Sequence, residues 1–203
     1  MKLFVAKGSC SLASHIALEE AAASYTVEKI DLAKGDQNSE AYRAVNPKSR
    51  VPALVTDRGI LTETPAILAF VAQSHPDAGL APVDDPFAFA EIQAFMSYMS
   101  STVHVAHAHG RRGTRWADDQ SSLDDMKRKL PEVMGKCFDM IEQDMFKGPW
   151  VMGDAYSIAD PYLFTIARWL ESDGVDPKRF PRILDHGNRM EERSAVKAVL
   201  ASY

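Results

Sequence analysis

The sequence predicts a compact α/β unit in the order βαβαββα followed by an all-α unit. Three observations carry this reading. Strand and helix periods alternate over roughly the first 75 residues, a proline-rich stretch follows them, and strand signals then fade. The expected division is 1–75 for the α/β unit, 76–86 for a linker and 87–203 for the helical unit.

The first strand is Leu3–Ala6, a short apolar run. Ser11–Ala23 reads as a helix whose Ala13, Ala17 and Ala21 fall four residues apart, a small face that allows close approach to a sheet. Thr26–Leu32 alternates like a second strand, so the chain opens as a βαβ unit with its two strands parallel. After a polar loop, a short helix is expected over Ser39–Ala44, and Asn46-Pro47-Lys48-Ser49 is turn chemistry. Val51–Val55 and Ile60–Thr62, joined through Thr56-Asp57-Arg58-Gly59, read as a β-hairpin. Pro52 lacks an N–H and belongs at a strand start or edge. Thr64 suits a helix N-cap and Pro65 the first helical position, with Ile67, Leu68 and Val71 turned inward.

His75–Pro86 carries three prolines and no helical period, which marks the linker. Helical patterns then cover Phe87–His109, Asp118–Met145, Ser157–Ser172 and Ile183–Ala201. Pro131 inside the second predicts a kink or a restart. Ser157-Ile158-Ala159-Asp160 resembles a capping box with Asp in place of the usual Glu.

Composition narrows the function classes. With 203 residues, 46% of them hydrophobic, the chain can bury one sizeable core or two smaller ones. A net charge of −5 argues against a general electrostatic grip on nucleic acid or anionic lipid. The only cysteines are Cys10 and Cys137, outside any CxxC or zinc spacing, so neither a disulfide scaffold nor a structural metal is expected. The apolar start is too short for a secretory signal, and no run approaches the roughly 20 apolar residues of a membrane span. A reducing cytoplasm is the expected location.

Cys10 lies between the first strand and first helix, where free backbone N–H groups and the helix dipole favour an anionic sulfur. A cysteine there is equally often a small buried hydrophobe. Within Phe87–His109, one face (Ala88, Ile92, Phe95, Met99, Val103, Ala106) is core. Ser97, Ser101 and His104 form a stripe opposite it, fit for solvent, a cleft or a partner subunit. His104, His107 and His109 lack the spacing and the acidic partner of a metal site, and no metal is expected. Gly110-Arg111-Arg112-Gly113-Thr114-Arg115 reads as a solvated basic loop, with the holding of an anionic substrate as its alternative. Glu63-Thr64-Pro65 at a helix start offers N–H groups and a hydroxyl to a carboxylate, and Glu63 offers a charge to an ammonium, a pairing suited to an α-amino acid moiety. Val51-Pro52 is compatible with a cis bond that would expose the Val51 peptide as an edge for an extended ligand. Cys137, among Leu130, Val133, Met134 and Ile141, reads as inert core.

Cys10-Ser11-Leu12-Ala13-Ser14-His15, Asn46-Pro47-Lys48 with Val51-Pro52-Ala53-Leu54, Glu63-Thr64-Pro65-Ala66-Ile67-Leu68, His104 and Ser157-Ile158-Ala159-Asp160 together resemble a bacterial beta-class glutathione S-transferase, in order and spacing along essentially the whole chain. The resemblance implies a thioredoxin-like N-terminal domain that binds glutathione as co-substrate, a helical domain that shapes the site for a small hydrophobic electrophile, and a homodimer. It implies that Cys10 and His104 meet the glutathione sulfur and that Val51, with Pro52 in cis, pairs with the cysteinyl peptide. Glu63 and Thr64 would hold the γ-glutamyl end, and Lys34 a carboxylate, the glycyl one. Ser97, Ser101 and Thr102 would also approach glutathione, as contacts from the second subunit, and relatives often carry Asn at Ser97 and an acid at Thr102, a difference that weakens or rearranges those contacts. Without Cys10, sulfur activation would fall to Ser11, His104 or backbone groups. Ala13 stands where a CxxC motif would place a resolving cysteine, which leaves only a monothiol route for reducing glutathione mixed disulfides. The rival class is a non-catalytic ligand carrier or partner-binding protein on the same fold.

Overall fold

A computed structural model describes residues 1–203. Four strands, β1 (Lys2–Val5), β2 (Thr26–Lys29), β3 (Ala53–Thr56) and β4 (Gly59–Thr62), form one sheet in the order β2-β1-β3-β4. β1 pairs parallel with β2, as the βαβ pattern requires, with Leu3 opposite Val27. The hairpin β3–β4 joins antiparallel through β1, with Leu54 facing Leu3 and Leu61. β2 is shorter than the expected Thr26–Leu32 and is exposed along its length, because it forms the sheet edge.

Helices α1 (Ser11–Glu20), α2 (Glu40–Val45) and α3 (Thr64–Ser74) complete this part. Every residue of α1 from Ser11 to Leu18 is buried, a pattern that belongs to a helix enclosed on all sides. Its Ala13 and Ala17 join the core beside Leu3, Val5 and Leu54. Its Leu12 and Ile16 pack instead on Phe164, Met190 and Val196 of the helical part. α1 is therefore the shared wall between the two halves. The expected linker is held down as well: Leu80 is buried and its carbonyl accepts the Ile158 N–H at 2.8 Å.

The remaining helices are α4 (Pro86–Tyr98), α5 (His104–Arg111), α6 (Gln120–Met140), α7 (Ala159–Ala167), α8 (Pro181–Glu192) and α9 (Ser194–Ala201). Four departures from the periodicity matter. The expected helix over 87–109 is interrupted by a wide π-helical turn at Met99–Val103, which rotates α5 relative to α4. α6 runs unbroken through Pro131 and ends in a second π-helical turn, so no restart occurs there. α7 is shorter than Ser157–Ser172. The last expected helix divides at Arg193, whose extended backbone separates α8 from α9 and whose side chain pairs with Glu20 of α1.

The Ser157–Asp160 motif also does more than cap. Asp160 is fully buried and accepts the Ser157 N–H at 2.7 Å, the Val151 N–H at 2.8 Å and His186 Nε2–H at 3.0 Å. One carboxylate thus ties the start of α7, the preceding loop and α8 together, and its own burial is balanced by those donors.

Candidate active site

A cleft of about 400 Å³ opens between the sheet unit and the helical part. Cys10, Val51, Pro52, Glu63, Thr64 and His104 all line it.

Its floor is the β1–α1 turn. Gly8 takes φ +72°, a left-handed conformation that favours glycine, and its carbonyl accepts the indole N–H of Trp169 at 3.1 Å from across the cleft. Ser9 donates to the Ala6 carbonyl at 2.9 Å, while Ser11 Oγ accepts the Ala6 N–H at 3.1 Å. Ser11 is completely buried beneath the turn and does not line the cleft. Its hydroxyl shapes the loop that carries Cys10.

Cys10 Sγ–H donates to the Val51 carbonyl at 3.6 Å. Burial pushes the thiol above its ordinary value, and the opposing pull of the Thr64 hydroxyl and the Arg112 charge does not reverse it. The helix start favours a thiolate, but desolvation wins. Cys10 is a neutral donor.

Val51–Pro52 is cis. The loop before it is fixed by Tyr42 Oη–H and Asn46 Nδ2–H, which donate to the Arg50 carbonyl at 2.7 and 2.6 Å. The Val51 N–H makes no hydrogen bond within the chain, so the peptide keeps a free donor facing the cleft lining. Glu63, not Thr64, is the N-cap of α3; it adopts φ +75° and makes no side-chain cap, and its carboxylate pairs with Lys48. Thr64 is the first helical residue and is 4% exposed.

His104 projects from the start of α5 toward Trp169, ring centroids 4.9 Å apart. Burial, followed by the charges of His107, Arg112, Arg50 and Arg115, pushes its pKa down to about 4, so the imidazole is neutral at physiological pH. His107 stacks on the same indole at 4.2 Å and donates from Nδ1 to the buried Asp173 at 2.7 Å. Arg111 Nε–H donates to the other Asp173 oxygen at 3.2 Å.

The other candidate residues lie elsewhere. Lys34 pairs with Asp31 at 3.4 Å on an exposed loop and is absent from the lining, which includes Leu32 and Gln37 instead. Ser97, Ser101 and Thr102 are exposed outside the cleft, and Ser101 Oγ–H is turned back to the Ser97 carbonyl at 2.7 Å. The stripe divides at the π-helical turn: Ser100 and His104 face this chain's own lining, and Ser97 and Ser101 stay on the exposed face that the expected second-subunit contacts would use. The three histidines do not converge, since His109 stacks on Trp116 at 4.1 Å and bonds the Val105 carbonyl. Cys137 is buried with Leu130, Met134 and Ile141, whereas Val133 is 40% exposed.

Trp169, Asp173 and Gly8 were not marked by the sequence as a unit. An isolated Trp in a helical pattern gives no sign that its N–H will reach a loop more than 160 residues away in the chain.

Residues 1–73 match the family model "Glutathione S-transferase, N-terminal domain", and residues 88–194 match "Glutathione S-transferase, C-terminal domain". Glutathione S-transferase GstA of Escherichia coli O157:H7 is 33% identical over 205 aligned residues, covering 100% of this chain and 98% of that protein. The solved structure of a glutathione transferase homologue from Sulfitobacter with bound glutathione superposes with a TM-score of 0.96 at 46% identity, covering 99% and 97% of the two chains. A sphingomonad glutathione S-transferase complexed with glutathione gives 0.87 at 32% identity, covering 100% and 98%. With both halves matched and these relatives aligned over nearly their full length, the chain belongs to the glutathione S-transferase family.

Proposed function

We propose that this transferase holds glutathione with its sulfur between Cys10 and His104 and presents it as a thiolate to a small electrophile. What supports the reading is the convergence of Cys10, the Val51 peptide, Glu63, Thr64 and His104 on one cleft. Each matches one part of the tripeptide. Glu63 suits the γ-glutamyl ammonium, and Thr64 with the N-terminal end of α3 suits its carboxylate. The Val51 N–H and C=O pair with the cysteinyl peptide in strand fashion. Arg50, beside Val51 in the lining, is better placed than Lys34 for the glycyl carboxylate.

The sulfur is activated by donors rather than by a base. When glutathione binds, the neutral Cys10 S–H turns from the Val51 carbonyl to the glutathione sulfur, where it and the N–H of a neutral His104 donate to the thiolate, and the nearby Arg112 adds a positive field. Every tenfold gain in thiol acidity corresponds to about 1.4 kcal/mol. The thiol proton of glutathione passes to cleft water, the resulting thiolate attacks the electrophilic carbon, the new C–S bond forms, and the leaving group departs with its electron pair. Because its thiol is held protonated, Cys10 is a hydrogen-bond donor first. Exchange with glutathione mixed disulfides is a slower side activity that grows as pH rises. The functional unit is a cytoplasmic homodimer in which residues 1–75 bind glutathione, 76–86 link and 87–203 shape the electrophile side.

A glutathione-affinity column followed by conjugation to chlorodinitrobenzene tests the reading. Retention with turnover is expected; retention without turnover favours a ligand carrier, and failure to be retained overturns the assignment. Cys10→Ala separates the two roles of the thiol: disulfide exchange is lost while conjugation persists at a reduced rate.

A further inference from the structure

We infer that the electrophile accepted by this cleft carries a negatively charged group, which Arg112 and Arg115 hold beside a planar apolar body. The inference rests on the glutathione-transferase reading above and adds the class of the second substrate.

Three guanidinium groups, those of Arg50, Arg112 and Arg115, line the cleft, and none of them has an ion-pair or side-chain hydrogen-bond partner in the fold. Most arginines elsewhere are matched, Arg111 with Asp173, Arg128 with Asp125, Arg168 with Glu191, Arg193 with Glu20, and the two that are not, Arg43 and Arg58, stand apart on the exposed surface outside the cleft. The cleft lining contains one acid, Glu63, and Lys48 already neutralises it. A chain of net charge −5 thus concentrates unmatched positive charge at one concave site. The three cations feel one another: burial together with the charges of Arg112 and Arg50 holds Arg115 below the usual guanidinium value. Such an arrangement is unfavourable in the free protein and is relieved by an anion.

Glutathione does not account for all of it. Its γ-glutamyl carboxylate is matched by Thr64 and α3, its glycyl carboxylate by Arg50 on the sheet side, and its thiolate feels Arg112, which leaves Arg115 unmatched throughout and Arg112 unmatched once the sulfur has become a thioether. Arg112 and Arg115 come from the opposite wall, at the end of α5 and in the single helical turn Gly113–Arg115. That segment is fixed, not a loose loop. The Arg112 N–H donates to Ala108 at 2.7 Å, Trp116 N–H to Gly113 at 2.8 Å, and the Trp116 ring is stacked on His109. Gly110 lets α5 lie directly against Leu130 of α6, where a Cβ would collide. Arg112 lies close enough to Cys10 for its charge to act on the thiol. An anion held there is within reach of the attacking sulfur. Trp116 and Val105, 48% and 37% exposed, line the same wall and supply apolar faces for a flat hydrophobic body. The small hydrophobic electrophile expected from the sequence is therefore refined to one bearing a carboxylate or similar anion.

The test compares two inert adducts, S-benzylglutathione and S-(para-carboxybenzyl)glutathione, titrated calorimetrically against the full-length protein. The carboxylate adduct is expected to bind about tenfold more tightly, since a charge-assisted pair with arginine is among the stronger polar contacts, and salt should erode the preference. Arg112→Gln and Arg115→Gln should each shrink the ratio severalfold. Arg58→Gln, on the exposed β3–β4 turn outside the cleft, should leave it intact. Equal binding of the two adducts by the unaltered protein overturns the inference while leaving the glutathione reading standing. So does a preference that survives in both cleft variants. Binding of neither adduct overturns the glutathione reading and this inference with it.

Discussion

Acidification should destabilise this protein through His104, and comparison with His104→Gln isolates the effect. The imidazole is enclosed by the α5 wall and Trp169, and the cations Arg112, Arg50 and Arg115 oppose its protonation, which places its folded pKa at about 4 against 6.5 for an ordinary histidine. Above pH 6.5 the ring is neutral in both folded and unfolded chains, so it contributes no pH dependence. Between 6.5 and about 4 the unfolded chain binds a proton that the folded chain refuses, and stability falls as pH falls. At 1.4 kcal/mol for each tenfold step in proton affinity, the ceiling is about 3 kcal/mol, reduced where cleft water screens the charges. The assay is urea unfolding of both proteins across that pH window. The wild type should lose up to about 3 kcal/mol relative to His104→Gln by the acid end, and the ring protons of His104 should show no titration near 6.5 by NMR. Parallel stability curves, or a His104 titration at the ordinary value, would refute the argument.

Three further outcomes follow from the same contacts. Asp160→Ala leaves the Val151 and Ser157 N–H groups and His186 without their buried acceptor, and should cost about 3–5 kcal/mol in chemical denaturation. Trp169→Phe keeps an aromatic ring but deletes the hydrogen bond to Gly8, with an expected loss of about 1 kcal/mol and a raised KM for glutathione in steady-state assays, because the Cys10 turn loses its strut. The Cys10 thiol, held above its ordinary value, should react slowly with iodoacetamide below about pH 7 and accelerate as pH rises; fast alkylation in mild acid would contradict the burial argument.

The sheet unit was the most legible part of the chain. Period-two runs, the Asp57-Arg58-Gly59 turn and Pro65 each leave a local mark, and β1, β3, β4 and α3 lie within two residues of where those marks place them. The helical part was legible as helices but not as breaks. A π-helical turn changes the register without any residue that forbids an ordinary one, so the sequence carries no sign of Met99–Val103 or of Ser100 in the cleft lining. Pro131 marks a possible break that the helix does not take: α6 continues through it without a restart. In the cleft, Cys10, Val51, Glu63 and Thr64 are legible because helix starts and an X-Pro strand edge announce themselves locally, and His104 because it ends a polar stripe opposite the core face of its helix. The Trp169–Gly8 bond, the His107–Asp173–Arg111 cluster and the meeting of Arg50 with Arg112 and Arg115 depend on long-range folding, which no short motif encodes.

The proposed Cys10–His104 cleft should acidify the thiol of bound glutathione. Titrating the ultraviolet thiolate absorbance of the complex, as a difference from the free protein, measures this directly. Bound glutathione should ionise at least tenfold more readily than free glutathione, by about 1.4 kcal/mol or more, and His104→Gln should give back a large part of that gain. A bound thiol that titrates no lower than free glutathione would contradict it.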